Sequence, residues 1–149
     1  RLRTFLFEGY LGDIIGNPLK KGIAEGELLI SNLTIFCFLI GTNDMPNCEG
    51  KIIIFEDVNE DIYKIDRMFT YIRMTQVLKN IVGIGFGNFF DPKRTDKIEL
   101  LENLIFDRFA EFNIPIISNL PVGHLTGNAC LPYGYSGILN GNIGKLSIN

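Results

Sequence analysis

Lys51-Ile-Ile-Ile-Phe-Glu56-Asp57 is an unbroken apolar run that ends on two carboxylates. A half-exposed strand would alternate polar and apolar residues, so this run predicts a strand covered on both faces. The text on either side extends the pattern. Asp61 opens a predicted helix to about Leu78, with Ile62, Ile65, Phe69 and Ile72 at helical spacing. Ile81-Val-Gly-Ile-Gly-Phe86 is the next strand, followed by a loop from Gly87 to Arg94. A helix from about Asp96 to Phe112 should turn Leu100, Leu101, Leu104, Ile105 and Phe109 inward. Ile114 to Ser118 is a third strand. The middle of the chain is therefore strand–helix–strand–helix–strand, an α/β pattern whose right-handed crossovers make these strands parallel.

Upstream, Gly22 to Ile30 reads as another strand, and either Ser31 or Asn32 can cap the helix from Leu33 to Ile40 that Gly41 ends. That helix is apolar nearly all round (Ile35, Phe36, Phe38, Leu39) and should be buried, with Cys37 in the core. From Arg1 to Lys21, apolar bursts punctuated by Gly9, Gly12, Gly16 and Pro18 predict short strands and turns, Leu2 to Phe7 being the first strand. Tyr135 to Asn149 reads as a terminal hairpin.

A chain of 149 residues, 46% apolar and 21% charged, suits a single globular domain. Its net charge of −3 and lack of a basic run argue against a nucleic-acid partner. Lys20-Lys21 and Lys93-Arg94 are isolated pairs that read as solvated surface. No apolar segment approaches the roughly 20 residues of a membrane helix, so no membrane role is expected. Cys37, Cys48 and Cys130 are odd in number and far apart, and the chain has a single histidine. Neither a disulfide framework nor a zinc site is suggested, and no cofactor is implied. Free thiols and no visible signal peptide point to a cytoplasmic location. The chain starts at Arg1 rather than Met, which suggests a piece of a longer protein.

The single histidine stands in Pro121-Val122-Gly123-His124, just past the third strand of the α/β core. A lone histidine reads first as a surface or core residue. A second strand end changes the balance, because Glu56 and Asp57 arrive on the same edge. In open parallel sheets, ligands gather at the carboxyl ends of the strands. Glu56, Asn88 and His124 all follow strands and should share that edge. A carboxylate on one ring nitrogen fixes the tautomer and leaves the other to take a proton from a nucleophile. Adjacent residues on a strand face opposite ways, so at most one of Glu56 and Asp57 can address His124. No serine lies in a Gly-x-Ser-x-Gly context and no oxyanion hole is visible, so the chain looks like half of an active site. Gly83-Ile-Gly85-Phe-Gly87 lies within a strand and is no dinucleotide fingerprint. Asn88 either contacts substrate or shapes a turn. Asp66 and Arg67 read as helix-face residues.

Gly50-Lys-Ile-Ile-Ile-Phe-Glu56-Asp57-Val58 followed by Tyr63-Lys-Ile-Asp66-Arg67-Met68 resembles a signature segment of the LD-carboxypeptidases. These are serine peptidases of the muramoyltetrapeptide carboxypeptidase family, which also includes microcin-immunity peptidases. Ile81 to Gly87 resembles their following strand. Pro121-Val-Gly-His124, with Asn128 and Leu131-Pro132-x-Gly134, resembles their histidine motif, and Gly26 to Leu33 resembles their turn before a helix. The likeness spans about residues 18 to 140. Ser31 stands where the family usually has Gly, and Leu125 follows His124 where Gly is usual.

The resemblance implies a Ser-Glu-His triad, with Glu56 as the orienting carboxylate and His124 as the general base. It implies a C-terminal domain of swivelling β/β/α type, with a mostly parallel central sheet, flanking helices and short peripheral strands. The serine and the oxyanion hole would belong to an N-terminal domain absent from this chain, so the chain alone should be inactive. The whole enzyme would release a terminal D-amino acid from the L,D-bond of a cell-wall muropeptide. Cleavage of a peptide–nucleotide conjugate, as by an immunity peptidase, and a non-catalytic binding or assembly module remain as alternatives, and a homodimer stays open.

Overall fold

A computed structural model describes residues 2–8, 11–58, 60–90, 95–124 and 126–148. In chain order these form α1 (Leu2–Glu8), β1 (Ile14–Ile15), β2 (Asn17–Lys20), β3 (Ile23–Asn32), α2 (Leu33–Leu39) and β4 (Lys51–Glu56). They continue with α3 (Ile62–Thr75), β5 (Gly83–Phe86), α4 (Thr95–Phe109), β6 (Ile116–Ser118), β7 (Ser136–Asn140) and β8 (Lys145–Ile148).

The strands build an eight-stranded sheet in the order β1-β8-β7-β3-β4-β5-β6-β2. The neighbours β3, β4, β5 and β6 run parallel, as the crossover pattern predicts, with Asn32 opposite Glu56 at the β3/β4 end. Short antiparallel strands extend both sides: the β7/β8 hairpin and β1 beyond β3, and β2 beyond β6. The outermost strands, β1 and β2, are separated in sequence only by Gly16, so the sheet curls until its edges meet at one residue. Only glycine suits that seam, because a Cβ there would lie 2.3 Å from the carbonyl oxygen of Ser118.

Pleating divides the core in two. Ile53, Phe55, Ile84, Phe86 and Ile116 face α2, α3 and α4, whose Leu33, Phe36, Ile65, Phe69, Ile72, Leu101, Ile105 and Phe109 complete that side. Phe69 sits at its centre, its ring 5.1 Å from that of Phe109 and 5.4 Å from that of Phe86. Ile52, Ile54, Ile117, Leu139 and Leu146 face the concave side and pack with Leu120, Val122 and Ala129 from the segment after β6.

Several expectations are corrected. Leu2 to Phe7 is helix, not strand; Leu2, Phe5 and Leu6 have the i, i+3, i+4 spacing of a helix rather than a two-residue period. Helix α2 is not buried all round: Leu33 and Phe36 are enclosed, while Ile35 is 54% and Phe38 73% exposed. A helix laid on a sheet buries one stripe, and among the described residues nothing covers the outer face of α2. Cys37, on its flank, is half-buried. Leu100 faces solvent, because the buried stripe of α4 runs through Leu101, Ile105 and Phe109 and leaves Leu100 about 100° away. Helix α3 ends at Thr75, where Gln76 takes a left-handed conformation, rather than at Leu78. The Lys93-Arg94 pair, Gly9 and Leu125 lie outside the described residues. No helix among the described residues is long and apolar enough to cross a membrane.

Candidate active site

Strand β4 delivers Glu56 and Asp57 to the carboxyl edge of the sheet and sends them to opposite sides. Glu56 continues the face of Ile52 and Ile54, where Val122 packs, and Asp57 continues the helix-side face of Ile53 and Phe55. Their partners follow from that division. Glu56 Oε2 lies 2.9 Å from His124 Nδ1. Asp57 Oδ2 accepts hydrogen bonds from the backbone N–H and the hydroxyl of Thr34 at 3.0 and 2.8 Å, holding the first turn of α2.

Asn32, at the end of β3, joins the two carboxylates. Its Nδ2 donates to Glu56 Oε1 and to Asp57 Oδ1, both at 3.2 Å. Its Oδ1 accepts the Ile35 N–H at 3.1 Å and caps α2. Asn32 is thus the capping residue among the two candidates, while Ser31 turns its hydroxyl to the Asn32 carbonyl.

The histidine is carried by a braced segment. After β6, the Leu120 N–H donates to the Phe86 carbonyl at 3.0 Å, and the Val122 carbonyl accepts the Asn88 N–H at 2.7 Å. Asn128 Oδ1 accepts the Gly123 N–H at 3.1 Å. Gly123 has a φ of 117°, in the region that favours glycine. A Cβ there would lie 2.9 Å from Glu56 Oε2, so a side chain would wedge the carboxylate away from the ring.

The pair is asymmetric. The His124 side chain is 66% exposed and that of Glu56 only 10%. The carboxylate that holds Nδ1 is enclosed, while Nε2 has no hydrogen-bond partner among the described residues. Such an arrangement can set the neutral tautomer with its proton on Nδ1, accept a proton at Nε2 and stabilise the imidazolium that results.

Asn88 stands on the same edge without joining the pair. Its carbonyl accepts the Asp57 N–H at 3.2 Å, and the residue lines a neighbouring groove. The chain's serine hydroxyls are engaged elsewhere: Ser118 with Glu102, Ser136 with Glu25 and Ser147 with Asp13. Asp66 pairs with Arg108 at 2.6 Å, and Arg67 lies over the Tyr63 ring at 5.3 Å, so both act as helix-face residues. Asn32 is the site residue that sequence reasoning missed: it stood there as one of two candidate helix caps and as part of the turn motif, with no contact to Glu56 foreseen. The signal was present, since β3 ends on the same edge as β4 and its last residue faces Glu56 in register.

Residues 25–139 match the sequence profile of the LD-carboxypeptidase C-terminal domain. A Synechocystis protein whose name gives it provisionally as a carboxypeptidase is 37% identical over 149 residues, which is 99% of this chain and 50% of that protein. The crystal structure of muramoyltetrapeptide carboxypeptidase from Oxalobacter formigenes superposes with a TM-score of 0.76 at 26% identity, covering 92% of this chain and 48% of that one. A microcin C7 self-immunity protein superposes with a TM-score of 0.73 at 20% identity, covering 93% of this chain and 41% of that one, a likeness of fold alone. The chain spans about half the length of the carboxypeptidases it matches. On its sequence match and its fold together, this chain belongs to the LD-carboxypeptidase family.

Proposed function

We propose that this chain is the C-terminal domain of a serine-type LD-carboxypeptidase, supplying the general base and its orienting carboxylate to a triad completed elsewhere in the whole enzyme. The observation that carries this reading is the 2.9 Å contact between the enclosed Glu56 carboxylate and the Nδ1 of an exposed His124. His124 Nε2 takes the proton of a serine hydroxyl contributed by an N-terminal domain as that oxygen attacks the peptide carbonyl. The imidazolium, stabilised by Glu56, then protonates the leaving amine, and water hydrolyses the acyl-serine by the reverse sequence. The substrate is a muropeptide whose terminal D-amino acid is released across an L,D-bond. By this account the isolated chain does not turn over substrate.

The test is D-alanine release from an L,D-tetrapeptide by the complete protein. Glu56→Gln presents an amide to Nδ1 and favours the wrong tautomer, which should lower kcat by on the order of 10³–10⁴-fold. His124→Ala should cost a comparable factor. A folded complete protein that releases nothing, or a Glu56→Gln variant within tenfold of wild type, contradicts the assignment.

A further inference from the structure

A groove of about 300 Å³ lies between the C-terminal turn of α3, the segment leading to β5 and the chain just past α4. It stands at the edge of the sheet where β4 and β5 begin, opposite the edge that carries Glu56 and His124. Its floor is Ile72, Leu78 and Phe112, and its rim is Arg73, Gln76 and Lys79. Ile72 and Leu78 belong to the core of the helix side and Phe112 packs against it, so the floor is fixed.

The rim is cationic and only partly used. Arg73 Nε donates to Glu111 Oε1 at 3.0 Å and Nη2 donates to the same oxygen, while Nη1 has no acceptor among the described residues. The Lys79 ammonium and the Gln76 side-chain amide have no partner among the described residues either. Glu49 accepts from Asn80 Nδ2 at 3.4 Å rather than from Lys79. Lys20 Nζ donates to the carbonyl oxygens of Ala110 and Phe112, which adds a charge with no carboxylate partner among the described residues. Arg73, Lys79 and Lys20 thus outnumber Glu111 and Glu49, leaving this end locally positive on a chain whose net charge is −3.

A basic residue at a helix C-terminus is the ordinary complement of the helix dipole, and Arg73 serves that role on α3. The dipole calls neither for an open apolar floor nor for glutamine at the left-handed cap. Gln76 has a φ of 56°, a conformation that glycine adopts without steric cost, and its retained side chain lines the groove. Two cations beside a fixed apolar floor complement an anion carried on an apolar body. The anion meets Lys79 and Nη1 of Arg73 while the body covers Ile72, Leu78 and Phe112. The volume suits a small molecule rather than a length of peptide.

We propose that this groove is a binding site for a small organic anion, a carboxylate on an alkyl or aryl body, with Lys79 and Arg73 as its counter-ions. The site is independent of the chemistry at Glu56 and His124.

The test titrates hydrocinnamate and its uncharged analogue, hydrocinnamyl alcohol, against the isotope-labelled complete protein. The acid should shift the backbone amides of Arg73, Gln76, Lys79 and Phe112 saturably, with a Kd of about 1 mM or tighter. The alcohol keeps the body and loses the charge, so it should bind about tenfold more weakly, as expected for one charge-assisted contact. Lys79→Gln, at an exposed position, should weaken the acid by a similar factor and leave the alcohol unchanged.

No saturable shift at these residues with the acid, or equal affinity for acid and alcohol in wild type, overturns the site. A folded Lys79→Gln variant that binds the acid as tightly as wild type also overturns it. If that variant does not fold, the two probes on the wild-type protein decide the matter alone.

Discussion

The two sides of the sheet put the same chemistry to different uses. On the helix side, Asp57 is 4% exposed and is spent on architecture: it holds the first turn of α2 against a core of interlocked phenylalanines. One residue earlier, Glu56 reaches the concave side, where loops rather than helices cover the strands, and meets an exposed imidazole. Two neighbouring carboxylates acquire separate roles from strand alternation alone. A helix-packed face offers rigidity, and a loop-covered face offers a side chain that solvent and substrate can reach.

That contrast breaks most visibly on the helix side. Phe69→Ala removes a fully buried ring that contacts the rings of Phe86, Phe89 and Phe109. It should destabilise the fold by about 3–5 kcal/mol in chemical denaturation, the usual cost of a large cavity in an aromatic core. Asp57→Ala comes next. It leaves the Thr34 N–H without its carboxylate partner and removes a brace from α2. A loss of about 2 kcal/mol is expected from the unpaired donor and the weakened helix start. On the peptidase reading, activity of the complete protein should suffer far less than in Glu56→Gln, because Asn32 still holds Glu56. Equal catalytic losses at the two carboxylates would erase the distinction between the faces.

The smallest effect concerns Cys37 on α2. Burial, helped by the charge of Asp57, pushes its thiol up to about 11. The fold therefore favours the neutral thiol. Its contribution to stability is complete below the ordinary thiol value of 9.0 and is lost as pH rises toward about 11. Alkylation of Cys37, followed by peptide mass mapping, should be slow at pH 7 and accelerate about tenfold per pH unit through that range. Asp57→Asn should shift the profile to lower pH.

Much of this contrast is legible in the sequence alone. The unbroken run Ile52 to Phe55 announced a central strand, and strand alternation required Glu56 and Asp57 to part. Glycine and strand-end patterns placed Gly123 and His124 on the right edge. What stayed hidden depends on neighbours far away in sequence. Asn32 reads as a cap until β3 and β4 are set in register, and its reach to Glu56 spans 24 residues. Ile35 and Phe38 look like core residues because composition cannot say whether a second layer covers a helix. Glu102 looks like an ordinary helix-face acid until the chain's curl brings Ser118 and Asn17 against it.

The central claim is that Glu56 dictates the state of the His124 ring, and one measurement reaches it directly. With a single histidine in the chain, a long-range ¹H–¹⁵N spectrum of the labelled protein holds one pair of ring nitrogens. Recorded at a pH where the ring is neutral, it should show the proton on Nδ1 and an unprotonated Nε2. Glu56→Gln should shift that balance toward protonated Nε2. A neutral ring protonated mainly on Nε2 in the wild-type protein, or a spectrum unchanged by Glu56→Gln, would contradict the account.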